Sequence, residues 1–219
     1  MLGKKVKFKK PKLPSRKYLL GKFVTLEPIN PKKHITDLFE CFKLDKKGEL
    51  WTYMPEGPFK NLNQLEKYLK SKDRFFYAIF SKRHNKYCGL ASYLRINSSA
   101  GSIEVGYITY SPILQKTVEA TESMYLMMEN VFEKLKYRRY EWKCNNGNET
   151  SKNSALRLGF KFEGVFRQAV VIKGRNRDTA WFSIIDKEWK KLKQGYLKFL
   201  SPKNLDKNLK QKRKLKFNN

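Results

Sequence analysis

The chain has 219 residues, 40% of them hydrophobic and 14% aromatic, which is enough for one hydrophobic core of ordinary size. No apolar run reaches the roughly 20 residues that a membrane helix needs, and no secretory signal pattern is present, so we expect an intracellular protein of the cytoplasm or mitochondrial matrix. Three cysteines without a CxxC pair and two histidines predict neither a disulfide framework nor a metal site.

The net charge of +28 is concentrated at the two ends of the chain. Residues 1–22 hold nine Lys or Arg and no acid, and residues 190–219 hold eleven with one acid, so the two segments carry +19. This distribution predicts a basic N-terminal arm (1–21), a folded domain (22–190) and a basic C-terminal tail (191–219). Such arms typically contact RNA phosphates, although they could also be merely solvated ends. The N-terminal arm could instead be a mitochondrial presequence, but two prolines and its lysine bias argue against this.

Hydrophobic periodicity predicts the elements of the first half of the domain. A strand over 22–29 precedes two helices, over 35–44 and 61–71, with a proline-containing aromatic loop at 51–59 between them. Two strands joined by a hairpin at RHNK and a third strand over 102–111 form an antiparallel set.

A strand, a short loop and a helix follow one another at residues 102–135. The loop reads QKTVEATE (115–122), and it leads into a helix over 121–135. Free backbone N–H groups and the positive end of the helix dipole favour an anion at such a junction. Loops that wrap a pyrophosphate usually contain glycine, however, and here Val118 and Glu119 occupy the middle. An ordinary helix N-terminus capped by Thr121 is the alternative.

The second half of the domain is predicted to hold a strand over 137–144, a short helix ending at Gly159, and a hairpin formed by 162–174 and 177–189. We expect an ion-pair network to fix this hairpin, formed by Arg167, Arg175, Arg177 and Asp178. The complete order, β-α-α-β-β-β-α-β-α-β-β, predicts an α/β fold with a central mixed sheet flanked by helices.

That order and several stretches resemble the GNAT (Gcn5-related N-acetyltransferase) family, specifically its RimJ/RimL-like branch. The resemblance extends from about Tyr18 to Trp189. The stretches that carry it are CGLASYLRI, GSIEVGYITYSPILQKT, ATES, YRRYEWKCNNGNETSKNSALRLGF, FEGVFRQ and KGRNRDTAWFSIIDKEW. The resemblance implies the GNAT acyl-CoA N-acyltransferase fold, with acetyl-CoA bound between two splayed central strands.

The resemblance also implies cofactor-binding positions. The family's pyrophosphate loop has the pattern Q/R-x-x-G-x-G/A, onto which Gln115, Val118 and Ala120 fall, with valine in place of glycine. Lys116, Thr117 and Thr121 could add a charge and two hydroxyl donors. Asn148 matches the family's contact to a cofactor amide, although Asn is also a common N-cap residue.

Catalysis in this family resembles direct attack of an amine on a thioester, which needs a base and an acid. Glu104 matches the strand position of the base, and Ser151 matches the candidate acid, with Tyr107 and Tyr110 as further acids. Glu163 is a second carboxylate, and we expect the aromatic loop 51–59 to line the acceptor side.

Two functions remain open at this stage. One is an acetyl-CoA-dependent N-acetyltransferase that acts on a protein N-terminus or a small amine. The other is a structural RNA-binding component of a ribosome, cytoplasmic or mitochondrial, that retains the fold with little or no activity. An active enzyme whose arms bring it to an RNA-bound substrate would combine them.

Overall fold

The computed structural model describes residues 2–217, which form one mixed β-sheet with helices on both faces. The strands are β1 (Leu19–Leu20), β2 (Val24–Pro28), β3 (Phe75–Ser81), β4 (Lys86–Asn97), β5 (Ser102–Tyr110), β6 (Arg139–Asn145), β7 (Lys161–Ile172) and β8 (Arg175–Ile185). The helices are α1 (Pro31–Phe42), α2 (Leu62–Leu69), α3 (Val118–Glu129), α4 (Glu149–Arg157) and α5 (Asp186–Phe199). The strand order β1-β2-β3-β4-β5-β6-β8-β7 confirms the predicted mixed α/β fold. None of the helices described is long and apolar enough to cross a membrane.

The sheet has one parallel junction, between β5 and β6. These strands pair only over Ser102↔Arg139 to Val105↔Trp142, while every other neighbouring pair is antiparallel. Beyond Val105 the last residues of β5 pair with β4 alone. The sheet therefore contains a gap, bounded by residues 106–110 of β5 and 143–145 of β6.

Helix α3 lies in the larger of two hydrophobic cores and is buried almost all round. Two of its acidic residues, Glu119 and Glu122, are buried as well. Glu122 accepts hydrogen bonds from the backbone N–H groups of Lys22, Phe23 and Val24, at 2.8, 2.6 and 2.8 Å. Burial raises the pKa of Glu122, and the three donors oppose that rise. This carboxyl therefore fixes the start of β2 to α3.

The start of α3 differs from the prediction. The helix begins at Val118, and the Thr117 side chain caps it by accepting from the Ala120 N–H at 3.1 Å, so a cap at Thr121 was wrong. Both threonines are followed by residues with helical periodicity, and either could cap a helix, so the sequence alone did not distinguish them. A π-helical turn over Asn130–Leu135 continues α3.

Both basic ends lie on the domain. Helix α5 runs to Phe199, so the boundary proposed at 190 falls within a helix. Beyond it, Leu205 is buried and bridged to Gln211, and Phe217 packs on Tyr196 with ring centroids 5.5 Å apart. The Phe217 ring lies 2.5 Å from where a Cβ on Gly195 would be, so only glycine fits there. At the other end, the Lys12 N–H donates to the Leu135 carbonyl at 2.9 Å.

Candidate active site

A β-bulge in β5 opens the gap in the sheet. Leu90 pairs with Thr109 and Ser92 with Gly106, so two residues of β5 oppose the single Ala91. Tyr107, one of those two, has a left-handed backbone with φ of +51°. Bulges re-aim side chains and end pairing, and here the backbone edge of β5 that faces β6 is left without a strand partner. An extended ligand could use that edge.

Loop 115–121 lies at the end of β5 and leads into α3. Within the described chain, the backbone N–H groups of residues 116 to 119 have no hydrogen-bond acceptor. The left-handed residue of the loop is Lys116, with φ of +59°, whereas Val118 has helical geometry and a side chain that is 1% exposed. The valine therefore faces the core and leaves the surface of the loop free.

Glu119, which could have opposed a bound phosphate, is only 1% exposed, and its buried Oε2 has no partner among the described residues. Its carboxylate accepts a hydrogen bond from the hydroxyl of Ser81 at the end of β3. Thr121 accepts from Arg157 of α4 at 3.2 Å, and Gln115 Nε2 donates to the Tyr110 carbonyl at 2.9 Å. Ala120 is small and buried. The loop is thus held by its own side chains, with its free amides and Lys116 outermost.

A cavity of about 360 Å³ adjoins this loop. It is lined by Arg83 of the β3–β4 turn, by residues 116–119, and by residues 208–211 of the C-terminal segment. Arg83 Nη1 donates to the Asn208 carbonyl at 3.3 Å, which joins two walls of the cavity. Lys210 and Lys116 add positive charge, so the surroundings of the free amides favour an anion.

Glu104, the expected base, lies on β5 immediately before the gap and is 3% exposed. Arg95 Nη1 contacts both carboxylate oxygens at 2.7 and 2.9 Å, and Lys143 Nζ contacts Oε2 at 2.8 Å. Both oxygens therefore have a cationic donor. The Arg95 side chain is 59% exposed and can move, whereas Lys143 is 7% exposed and also pairs with Glu141.

Glu163, the second carboxylate, is placed for structure. It lies on β7, where Arg139 and Ser183 bind it. These contacts, above all the pairing with Arg139, lower the pKa of Glu163 to about 2. A carboxylate with so little affinity for a proton is a poor base, and Glu163 is separated from the gap by β8 and β6.

The candidate acids lie on opposite faces of the sheet. Tyr107 packs with the α1–α2 core, where burial raises its pKa and the Arg74 guanidinium, 3.9 Å above the ring, opposes that rise. Ser151 of α4 lies on the other face, where its hydroxyl accepts from Trp142 Nε1 at 3.0 Å and lies within hydrogen-bonding reach of the Cys144 sulfur. The hydroxyl of Tyr110 is bonded to Ser123 at 2.8 Å.

Asn148 caps α4, which is the alternative role that its residue type indicated. Its Oδ1 accepts from the Ser151 N–H at 3.0 Å. The amide Nδ2 has no acceptor within residues 2–217, so one donor of this side chain stays free near Ser151. The cap also holds Ser151 in place at the start of α4.

Two side chains make long-range hydrogen bonds that hold the aromatic loop 51–59 over the Glu104 side of the gap. Lys173, at the tip of the β7–β8 hairpin, donates to the carbonyl oxygens of Trp51 and Gly57 at 2.9 and 3.1 Å. The hydroxyl of Tyr53 donates to the Gly147 carbonyl at 2.9 Å. We call loop 51–59 together with the hairpin tip that holds it the roof.

The expected ion-pair network of the hairpin does not form. Asp178 accepts from the Gln168 N–H and from Asn176 Nδ2, at 2.8 and 3.0 Å, and no described carboxylate pairs with Arg177. Arg177 and Arg74 instead face the region around Tyr107. Sequence analysis assigned Arg177 to the ion-pair network and did not consider Arg74, because an arginine in or beside a strand carries no signal that marks a site residue.

A parallel pair that splays at a bulge, followed by a loop with free amides at a helix N-terminus, matches the arrangement that the sequence resemblance implied. The family model described as "Acetyltransferase (GNAT) domain" matches residues 24–161. The chain belongs to the GNAT acetyltransferase family.

Similar proteins agree with this membership. A crystal structure of a GCN5-related N-acetyltransferase from Brucella melitensis is 41% identical, covers 95% of this chain and 96% of its own, and superposes with a TM-score of 0.92. The "Probable N-acetyltransferase YjcK" of Bacillus subtilis is 25% identical over 154 residues, which are 68% of this chain and 82% of YjcK. RimL, a ribosomal L7/L12 alpha-N-protein acetyltransferase, shares the fold at 19% identity and a TM-score of 0.68, over 77% of this chain and 94% of its own.

Proposed function

We propose that this GNAT protein transfers the acetyl group of acetyl-CoA to the amine of a small molecule or a protein N-terminus. The observation that carries the proposal is the continuous path from the open edge of β5 to the free amides of loop 115–121. An extended chain can pair along the first, and a pyrophosphate can bind the second.

The residues present fit acetyl-CoA. The N–H groups of residues 116–119, with the charges of Lys116, Arg83 and Lys210, would hold the phosphates. The acidic Glu119 is bound to Ser81, and Asn148 Nδ2 would remain for an amide of the pantetheine arm. When bound, the cofactor supplies an acetyl thioester, and the amine nitrogen bonds to its carbonyl carbon as the carbon–sulfur bond breaks.

The proton transfers use the two faces of the sheet. An ammonium group entering beneath the roof would lose its proton to Glu104, through a water or after Arg95 swings aside, because both carboxylate oxygens hold cationic donors. Tyr107, on the same face, would orient the amine. Ser151, held by Trp142 and Asn148 on the opposite face, would return a proton to the departing sulfur.

A second role is favoured by the distribution of charge. Residues 1–22 and 190–219 carry +19 of the total +28, and the lysines from Lys203 to Lys216 are exposed although the segment is folded. We propose that these surfaces bind RNA phosphates and bring the enzyme to a ribonucleoprotein. The retained site geometry argues against a purely structural role.

Calorimetry with acetyl-CoA tests the main proposal. The wild type should bind, and Lys116→Glu should weaken binding by about tenfold or more, because it places a negative charge beside the phosphates. Lys136→Glu is a matched control: Lys136 is also exposed, has a left-handed φ of +68°, and lies at the far end of the same helical segment. Absence of binding by the wild type, or equal effects of the two variants, would contradict the proposal.

A further inference from the structure

Arg177 lies on the Glu104 side of the sheet without an acidic partner among the described residues. It projects from β8 two residues beyond Thr179, whose partner Asn145 is the last residue of β6, so it lies at the open end of the gap. Its charged and titratable neighbours include Arg95, Glu104 and Tyr107. Burial lowers the pKa of Arg177, which shows that its surroundings disfavour the charge.

Three other cations near Tyr107 and Glu104 have acidic partners, although Nε and Nη1 of Arg74 are buried without a hydrogen-bond acceptor in the described chain. Arg74 pairs with Glu56 at 2.8 Å, Arg95 with Glu104, and Lys143 with both Glu104 and Glu141. For Arg177, by contrast, no acceptor lies within bonding distance among residues 2–217, and its Nε is buried. A half-buried, unpaired guanidinium is costly, and a bound anion removes that cost.

A second unpaired donor lies on the same face of the same strand. Positions 177, 179 and 181 of β8 share one face, and the indole Nε1 of Trp181 is buried without an acceptor in the described chain. The Trp181 ring is held in place by Phe166, with ring centroids 4.5 Å apart. Two donors on one face of β8, one of them charged, therefore have no acceptor among the described residues.

We propose that the acceptor of this enzyme carries a carboxylate near its amine, and that Arg177 binds that carboxylate. One uncompensated positive charge matches one carboxylate, and the nearby carboxylates Glu104, Glu141 and Glu56 disfavour a doubly charged phosphate. With the carboxylate on Arg177, the amine of an amino-acid-like molecule lies toward Glu104. The inference rests on the proposed acetyl transfer.

Paired acceptors test the inference. The common L-amino acids and their carboxamides present the same amine with and without the negative charge, and O-phosphoethanolamine and taurine present other oxyanions. We expect the preferred acid to be acetylated with a kcat/KM about 30-fold above that of its carboxamide. Arg177→Gln should remove that preference by raising KM for the acid, Arg177→Lys should restore part of it, and Arg175→Gln, an exposed arginine of the same hairpin, should leave it intact.

Ligand-observed NMR with the same pairs separates this inference from the proposed function. Acids that bind wild type more tightly than Arg177→Gln support the carboxylate site even if acetyl-CoA binding or turnover fails. Carboxamides that match their acids, a preference for phosphate or sulfonate, or no binding and no acetylation of any acid would overturn it.

Discussion

The ammonium of Lys173 donates a hydrogen bond to the backbone carbonyl of Trp51 at 2.9 Å, across 122 residues of sequence. Lys173→Met, which keeps the length of the side chain but loses its donors, should therefore loosen the roof. We expect KM for the acceptor to rise about three- to tenfold, since a charge-assisted hydrogen bond at a partly exposed site is lost. The affinity for acetyl-CoA, measured by calorimetry, should not change. If KM for the acceptor is unaffected, the roof does not order the acceptor site.

Glu104→Gln should lower kcat by about 100-fold or more, with acetyl-CoA affinity nearly unchanged, because a general base acts only in the reaction. Lys143 retains Glu141 at 2.8 Å, so the strand pair should remain folded. Arg95→Met discriminates between a base and a structural partner. It should preserve or raise kcat if Glu104 accepts a proton, whereas losses equal to those of Glu104→Gln would assign the carboxylate to structure.

Two glycine substitutions in loop 115–121 should have opposite effects on stability. Lys116→Gly should stabilise the fold by about 0.5–1 kcal/mol. Lys116 has a left-handed backbone with φ of +59°, which is strained for a residue with a Cβ and unstrained for glycine. Val118→Gly should destabilise it by about 1–3 kcal/mol, because it removes a buried side chain. Urea unfolding measures both. If Val118→Gly increased the stability, position 118 and not position 116 would be the one that favours glycine, as in the family's loop pattern.

The pairing of Glu163 with Arg139 should make stability depend on pH in acid. The pKa of Glu163 is about 2 in the folded chain, below its ordinary value of 4.5, so the unfolded chain takes up this proton first as the pH falls. The stabilisation is complete above pH 4.5 and is lost as the pH falls toward 2. Because the Glu163 side chain is 38% exposed, we expect Glu163→Gln to cost only about 1 kcal/mol at pH 7.

Denaturant unfolding of Glu163→Gln and wild type from pH 7 to pH 2 should show two stability curves that converge in acid. Glu40→Gln is the control, because Glu40 is 58% exposed and contacts Lys43 at only 3.8 Å. A difference that persists at the lowest pH would mean that the substitution acts through packing rather than charge.

The basic segments should bind RNA by charge. If about six lysines engage phosphates, affinity should fall by roughly three orders of magnitude between 50 and 200 mM salt and differ little among RNAs. Replacing five lysines of the N-terminal arm by Gln should flatten that slope (Lys4, Lys5, Lys7, Lys9 and Lys10). Five exposed lysines elsewhere serve as the control set (Lys32, Lys46, Lys47, Lys60 and Lys72). Equal slopes for the two sets would remove the arm from RNA binding. Deletion of residues 200–219 is a poor test, because Leu205 and Phe217 pack on the core.

Sequence reasoning predicted the local elements well and the long-range contacts poorly. The short apolar run FFYAIFS gave β3 without error, because a run of this length rich in aromatic residues is typical of a strand buried on both faces. The start of the helix predicted over 35–44 was wrong, since α1 begins at Pro31, where proline is well suited to a first turn.

Contacts between distant residues left no such record. The residues that flank Arg177 in the sequence do not indicate that it lacks an acidic partner. Whether it has one depends on where Asp178 and Glu104 lie in the fold. Similarly, the lysines around Leu205 and Phe217 suggested a solvated tail, whereas those two apolar side chains are enough to hold it on the domain. The sequence located Glu104 but could not show that Arg95 and Lys143 bind both its oxygens.

The four residue pairs between β5 and β6 are the only ladder that joins β1–β5 to β6, β8 and β7 in the described chain. We expect so short a seam to let the two sides open as separate units, although the core around α3 contains residues from both. Native-state hydrogen exchange should therefore reveal an opening in which the amides of Ile103 to Val105 and Tyr140 to Trp142 lose protection before those at the centres of β3 and β8. A ligand that bridges the gap would bond to both units at once, so its binding should slow exchange far from any atom it touches.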